Sequence, residues 1–251
     1  MISAVVLTRN EENNIITCIK SIEWCDEIIV IDDNSSDSTI SKIKEIKNKK
    51  IQIFSRPLSG NFSGQRNFAL EKAKNEWVLF VDADEKLTES LQFEIVNTVT
   101  SSMDRVTGYF IRRIDIMWGK EIRHGEPSSV KLLRLAKKEA GKWTGNVHEE
   151  WKVHGKVGEL KNPLLHFPHP DLATFLNEIN FYTDLRASEL YYKNHKFHIS
   201  QIVIYPILKF IYNYFFKMGF LDGMPGLIIA ITMSFHSFLA RGKLRKIWLE
   251  K

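Results

Sequence analysis

Asp82 and Asp84 stand one residue apart, directly behind the apolar run Trp77-Val78-Leu79-Phe80-Val81. A short unbroken apolar run suits a strand buried on both faces of a parallel sheet. Such a strand ends at the carboxyl edge of the sheet, where open α/β folds bind their ligands. A hard cation that also touches phosphate fits two carboxylates there, because Mg²⁺ takes one or two carboxylates and leaves its other positions to water and phosphate oxygens. Alone, Asp-x-Asp is more often an acidic helix start. A second pair changes the weighting, since Asp32-Asp33 ends another apolar run, Ile28 to Ile31. A carboxylate only accepts hydrogen bonds, which suits the N–H of a base or the hydroxyls of a sugar. Between the two pairs lies Gly64-Gln65-Arg66-Asn67. Glycine allows close backbone approach, and Arg66 offers a planar fork for phosphate or carboxylate.

The elements that must position these residues follow from periodicity. Residues 2–7, 27–31, 51–54 and 77–81 read as strands. Residues 12–22 carry Ile15, Ile16, Ile19 and Ile22 at helical spacing. Asn34 to Ser38 is rich in helix-capping residues and opens a helix to about residue 47. Residues 63–74 make the next helix. This β-α alternation predicts a doubly wound, mostly parallel α/β sheet. From residue 107 the rhythm changes. Residues 109–113 and 130–135 read as strands in mixed or antiparallel pairing. From residue 171 the chain is mostly helical, with a first helix over 172–194. An apolar, aromatic tail over 199–240 then runs into the basic end Arg241 to Lys246. Its longest uncharged stretch, 223–240, is borderline in length for a membrane span. Aromatic residues with flanking cations suit a segment lying in the membrane interface.

Several function classes fall away. The net charge of +5 is modest, and no helix-turn-helix, zinc-finger or RNA-binding pattern occurs, so no nucleic-acid partner is expected. Cys18 and Cys25 form no CxxC pair, which suits a reducing cytosol. Residues 1–9 lack a basic start and a cleavage site and read as a first strand. The first β–α turn, Thr8-Arg9-Asn10-Glu11-Glu12, has no glycine. That excludes a dinucleotide fingerprint or Walker loop, and argues against a nucleotidyltransferase with a glycine-rich phosphate cradle. His148 and His154 miss the zinc spacing HExxH. His166 and His169 lie among prolines and read as structural turn residues.

In order along the chain, Val5 to Glu12, Asp32 to Thr39, Gly64 with Arg66 to Leu70, and Asp82-Ala83-Asp84 resemble the motifs of family 2 inverting glycosyltransferases. The resemblance implies a GT-A fold and a UDP-sugar donor. It places Thr8, Arg9, Asn10, Glu11, Asp33 and Arg66 at the substrate, with Asp33 at the uracil. It also implies a divalent metal, Mg²⁺ or Mn²⁺, with Asp84 the direct ligand and Asp82 beside it. Further on, Arg134, Trp143, His148-Glu149 and the stretch 219–226 are similar to the lipopolysaccharide inner-core β-1,4-glucosyltransferase branch. That similarity implies a hexose such as glucose and a lipid-linked saccharide acceptor. It sets Arg134 and His148 at the substrate and Glu149 as the base. Glu150 is the fallback base, and Asp115 stays open. The expected division is a catalytic domain over 1–168, with a nucleotide half over 1–100 and an acceptor half over 101–168, followed by a helical membrane-proximal extension over 169–251. The protein is expected in the cytoplasm, peripheral on the inner face of the cytoplasmic membrane. A polyprenyl-phosphate glycosyltransferase is the alternative, but it calls for cleaner transmembrane helices. A non-catalytic binding module is disfavoured, because clustered carboxylates repel one another without a cation.

Overall fold

Strand β1 (Ile2–Thr8) is apolar on both sides, and alternate residues point to opposite faces of the sheet. Ala4 and Val6 enter one core with Ile15, Ile19 and Ile22 of helix α1 (Ile15–Ile22). Val5 enters a second core with Ala69 and Leu70 of helix α3 (Phe62–Lys72). A strand covered on both faces belongs in the middle of a doubly wound sheet. In the computed structural model, which describes residues 1–58, 60–101, 106–145, 149–196 and 198–250, β1 takes that place. It lies between β2 (Glu27–Asp32) and β4 (Trp77–Asp82), parallel to both. Outside β2 runs β3 (Ile51–Ser55), also parallel, reached through helix α2 (Thr39–Glu45).

Beyond β4 the pairing reverses. β8 (Lys131–Lys137) is antiparallel to β4, and β6 (Val106–Met117) is antiparallel to β8. The parallel β-α units thus hand over to antiparallel structure after residue 107, as the change in rhythm predicts. β5 (Glu85–Leu87) and helix α4 (Glu89–Ser101) follow β4 directly. The short β7 (Lys120–Glu121) also pairs with β6. Helix α1 starts three residues later than its periodicity suggests. The backbone N–H groups of Glu11 and Glu12 donate to Thr39 Oγ1 and Asp37 Oδ2 at 2.8 and 3.1 Å, which holds the turn open before the helix.

A hairpin of β9 (Gly141–Thr144) and β10 (Glu150–Val153) stands apart from the main sheet. Trp143 and Trp151 oppose each other in it and stack 5.3 Å apart. Both meet the edge of Phe80 at 5.0 Å. The two strands can close because Gly141 has no side chain: a Cβ there would lie 1.8 Å from the Lys152 carbonyl oxygen. Gly141→Ala is therefore expected to cost at least the ~1–3 kcal/mol typical of overpacking. Thermal unfolding should show the loss, with weakened near-ultraviolet tryptophan circular dichroism.

The chain divides into two compact units, one of residues 1–113 and 130–166, the other of residues 114–129 and 167–251. The first closes with β11 (Lys156–Glu159), paired to β6, and β12 (Leu164–His166), paired to β5. The second consists largely of helices α5 (Leu172–Tyr192), α6 (Ile199–Ile211) and α7 (Gly223–Glu250). Asp222 draws the segment 114–129 into this unit. Its Oδ2 accepts from the backbone N–H of Arg123 and His124 at 3.1 and 2.8 Å, and its Oδ1 lies 2.8 Å from His124 Nδ1. Asp115 belongs to this unit and is buried. Ile199–Phe216 and Gly219–Glu250 are each long and apolar enough to cross a bilayer, by length and composition alone. None of the residues of α6 is buried.

Candidate active site

Register carries the acidic tips to one edge. Thr8 pairs with Asp32, and Leu7 pairs with Asp82, so both apolar runs end at the same carboxyl end of the sheet. Two strand spacings separate Asp32 from Asp82, roughly 10 Å. The loops at this edge are laced together. Asn10 N–H donates to Ser35 Oγ at 3.0 Å, and Ser36 N–H donates back to Asn10 Oδ1 at 2.8 Å. Asn10 and Asn34 both take left-handed backbone, which asparagine tolerates. Arg9, largely exposed, pairs with Asp33 Oδ2 at 3.1 Å. Asp33 Oδ1 accepts from Leu58 N–H at 2.7 Å. Thr8 is buried, and Glu11 accepts from Asn14 Nδ2 at 2.9 Å.

Asp82 sits between two buried arginines. Arg66 Nη2 donates to its Oδ1 at 3.1 Å, and Arg134 Nη2 donates to its Oδ2. The same Arg134 nitrogen reaches Glu85 Oε1 at 2.8 Å. Glu85 turns back so that its Oε2 accepts from the Asp82 backbone N–H at 2.8 Å. Glu85, fully buried, is thus part of the site although its place in the sequence suggests only a helix-start acid. Arg66 also donates through Nε to Glu149 Oε1 at 3.0 Å and lies 4.6 Å over the Trp143 ring. Its neighbour Asn67 exchanges two 2.9 Å hydrogen bonds with the Trp143 backbone. The Arg66-Asn67 pair of α3 therefore does two jobs: one side chain gathers the acids, the other holds the hairpin that brings Glu149.

Burial opposes charge on Asp82, but Arg134 and Arg66 outweigh it and hold the carboxyl far below the usual range. For Glu85 burial wins over Arg134, with Asp82 and Asp84 adding repulsion, and its carboxyl is pushed up. Burial would lower Arg134, yet Asp82 and Glu85 raise it further. The sign for Asp82 follows: a depressed folded value contributes stability above its unfolded value of about 3.9, lost as pH falls below that. Asp82→Asn should therefore melt below the wild type at pH 7, with the gap narrowing between pH 4 and pH 2.

Asp84 points elsewhere. Its Oδ2 lies 3.2 Å from His166 Nε2. His166 is no turn residue, in spite of the prolines that follow it. It ends β12 and pairs with Glu85 of β5, which sets its ring beside Asp84. His169 keeps a structural place, stacked on Phe175 at 4.0 Å. His148 lies outside the described residues. Glu150 starts β10 with its side chain exposed.

A cavity of about 700 Å³ opens over this cluster, lined among others by Arg66, Asp82, Arg134, Trp143, Glu149 and Trp151. Buried N–H groups of four of these, Arg66 Nη1, Arg134 Nε, Trp143 Nε1 and Trp151 Nε1, have no hydrogen-bond partner among the described residues. Buried donors in folded proteins are normally satisfied, so orphans at a cavity fit an oxygen-rich ligand.

Residues 3–176 match the sequence profile of glycosyl transferase family 2. The chain belongs to this family. The lipopolysaccharide core biosynthesis glycosyltransferase LpsC of Rhizobium meliloti is 27% identical over 97% of this chain and 91% of its own length. RT0209 of Rickettsia typhi, an uncharacterized glycosyltransferase, is 28% identical over 99% of this chain and 88% of its own length. Among solved structures, Staphylococcus aureus TarS 1–349 in complex with UDP-GlcNAc matches with a TM-score of 0.49 and 15% identity, covering 100% of this chain and 92% of that one. The parallel β3-β2-β1-β4 sheet continued by antiparallel β8 and β6 is the GT-A fold of the family 2 glycosyltransferases.

Proposed function

We propose that this family 2 enzyme moves a hexose, glucose being one candidate, from a UDP-sugar to a lipid-linked saccharide of the lipopolysaccharide core type, with inversion at the anomeric carbon. The observation that carries the reading is Arg66, a buried cation that joins the strand-end carboxylate Asp82 to the hairpin carboxylate Glu149 at one cavity. LpsC, by its name a lipopolysaccharide core enzyme, supports the acceptor class.

The donor set fits a divalent ion. Asp84 offers a carboxylate and His166 an imidazole, both within the repertoire of Mn²⁺ and the first also of Mg²⁺. Among the described residues no group of three or more such side chains gathers. That suits a site in which diphosphate and water supply the other ligands. When bound, the ion would stabilise charge growing on the departing diphosphate. Asp82, with an arginine on each oxygen, is assigned to anchoring Arg66 and Arg134 rather than to ligation. Arg9 is exposed and can release Asp33 to a uracil N–H. Glu149 accepts the proton of the acceptor hydroxyl as that oxygen attacks, and Arg66 orients its carboxylate.

The helical unit supports a peripheral place at the inner face of the cytoplasmic membrane. Along the one helix α6, Ile199, Val203, Ile204, Ile207 and Leu208 are each at least half exposed, an apolar display uncommon on a freely soluble surface. The test is to incubate the pure protein with Mn²⁺, a panel of nucleotide sugars and a truncated lipopolysaccharide core. A β-linked hexose from an α-linked UDP-hexose supports the proposal. Transfer from another nucleotide alone, or retention of configuration, refutes it.

A further inference from the structure

Helices α5, α6 and α7 enclose a second cavity of about 580 Å³, a size that holds small ligands. Each helix sends one cation to its wall: Arg186 from α5, Lys209 from α6 and Arg241 from α7. Among the described residues that line it, none is acidic. The cations are held in place from behind. Glu189 takes Arg186 Nη1 at 2.5 Å, and Glu126 takes Lys209 Nζ at 2.8 Å. Arg241 lies 3.8 Å over the Tyr205 ring and donates through Nη1 to Ser237 Oγ at 2.8 Å. Between them His236 is held below its ordinary value, by burial first and then by Lys209, Arg186 and Arg241, against a pull from Glu126. The interior is thus electropositive.

The remaining wall has the opposite character. Leu208, Ile211 and Phe216 line it, and Phe216 and Leu208 also belong to the exposed apolar surface. A free anion would leave that apolar wall wet, and an alkane would leave the cationic wall without a polar partner inside the cavity, since Glu189 and Glu126 hold Arg186 and Lys209 from outside its lining. A molecule that carries both a phosphate and an alkyl chain answers both halves of the cavity.

We propose that this cavity binds the phosphate of an anionic amphiphile among Arg186, Lys209 and Arg241, with its alkyl part along Leu208, Ile211 and Phe216. Two sources share that chemistry: a bilayer phospholipid and a phosphorylated glycolipid. The proposal rests on the helical unit alone and stands whatever sugar the other unit transfers.

Calorimetric titration of the full chain with dihexanoyl phosphatidic acid, below its micellar concentration, tests it against inorganic phosphate. Saturable one-to-one binding is expected, at least tenfold tighter than for inorganic phosphate. The double variant Arg186→Gln/Arg241→Gln should weaken it tenfold or more with its thermal unfolding unchanged. Where that variant melts early, Lys209→Gln carries the same test. Dihexanoyl phosphatidylglycerol and detergent-solubilised monophosphoryl lipid A then separate the sources, the tighter ligand naming the one used. Equal affinity for phosphatidic acid and inorganic phosphate, or variants that bind like the wild type, would overturn the proposal.

Discussion

Arg134→Leu is expected to destabilise the protein by about 3–5 kcal/mol, the usual cost of removing one partner from a buried charge pair. The side chain is buried, and one nitrogen, Nη2, serves both Asp82 and Glu85. Leucine would leave two carboxylates facing each other without a cation between them. Glu85 already holds its proton more tightly than usual, by burial above all, so it would be the one to neutralise. That gives the loss a signature. Adding Glu85→Gln to Arg134→Leu should recover part of the stability, because the neutral amide can still accept the Asp82 backbone N–H. Arg134→Lys should lie between leucine and the wild type. For a protein of this size the leucine variant should melt on the order of 10 °C lower. Circular dichroism melts of the wild type, Arg134→Leu, Glu85→Gln and the double variant measure the coupling. Additive losses from Arg134→Leu and Glu85→Gln would show that the two side chains do not act as a pair.

Glu149→Gln is expected to lower kcat by about 10²–10⁴, the usual range for loss of a general base, while UDP binds as before. The amide keeps the shape of the carboxylate and can still accept from Arg66 Nε, so the hairpin should stay in place. What disappears is the group proposed to take the acceptor proton. Glu150→Gln is the control. Its side chain also lines the cavity but is exposed at the start of β10, while Arg66 fixes Glu149, so its kcat should fall by less than about tenfold, below the range expected for loss of a general base. The comparison is a steady-state measurement of kcat beside a UDP titration for each variant. An equal loss in both variants would mean that the acidity of the hairpin, and not one positioned base, is what matters.

Much of the scaffold was legible because it obeys local rules. Trp77 to Val81 is apolar without a break, and its alternate residues fill two cores. The isoleucines of α1 repeat at helical spacing. Those features are enough to place Asp32 and Asp82 at one edge, since parallel strands share a direction. The remainder depends on partners far away in sequence. Glu85 has the look of a helix-start acid, and only Arg134, 49 residues on, makes it part of a buried cluster. Prolines flank His166 and suggest a turn, but strand pairing with Glu85 turns its ring to Asp84. Helix α4 offers little pattern to read, because only Leu91 and Ile95 are buried along it and Phe93 is exposed. Asp222 gathers residues 123 and 124 into the helical unit through backbone hydrogen bonds, which leave no mark on the sequence between them.

The proposed chemistry depends most on Asp84, the residue that would hold a divalent ion at the donor's diphosphate. Calorimetric titration of UDP into the wild type and Asp84→Ala, each with Mn²⁺ and with EDTA, measures that directly. UDP is expected to bind the wild type with Mn²⁺, EDTA to weaken this binding at least tenfold, and Asp84→Ala to bind UDP equally weakly in both conditions while melting normally. Tight, Mn²⁺-dependent binding of UDP by Asp84→Ala would contradict it.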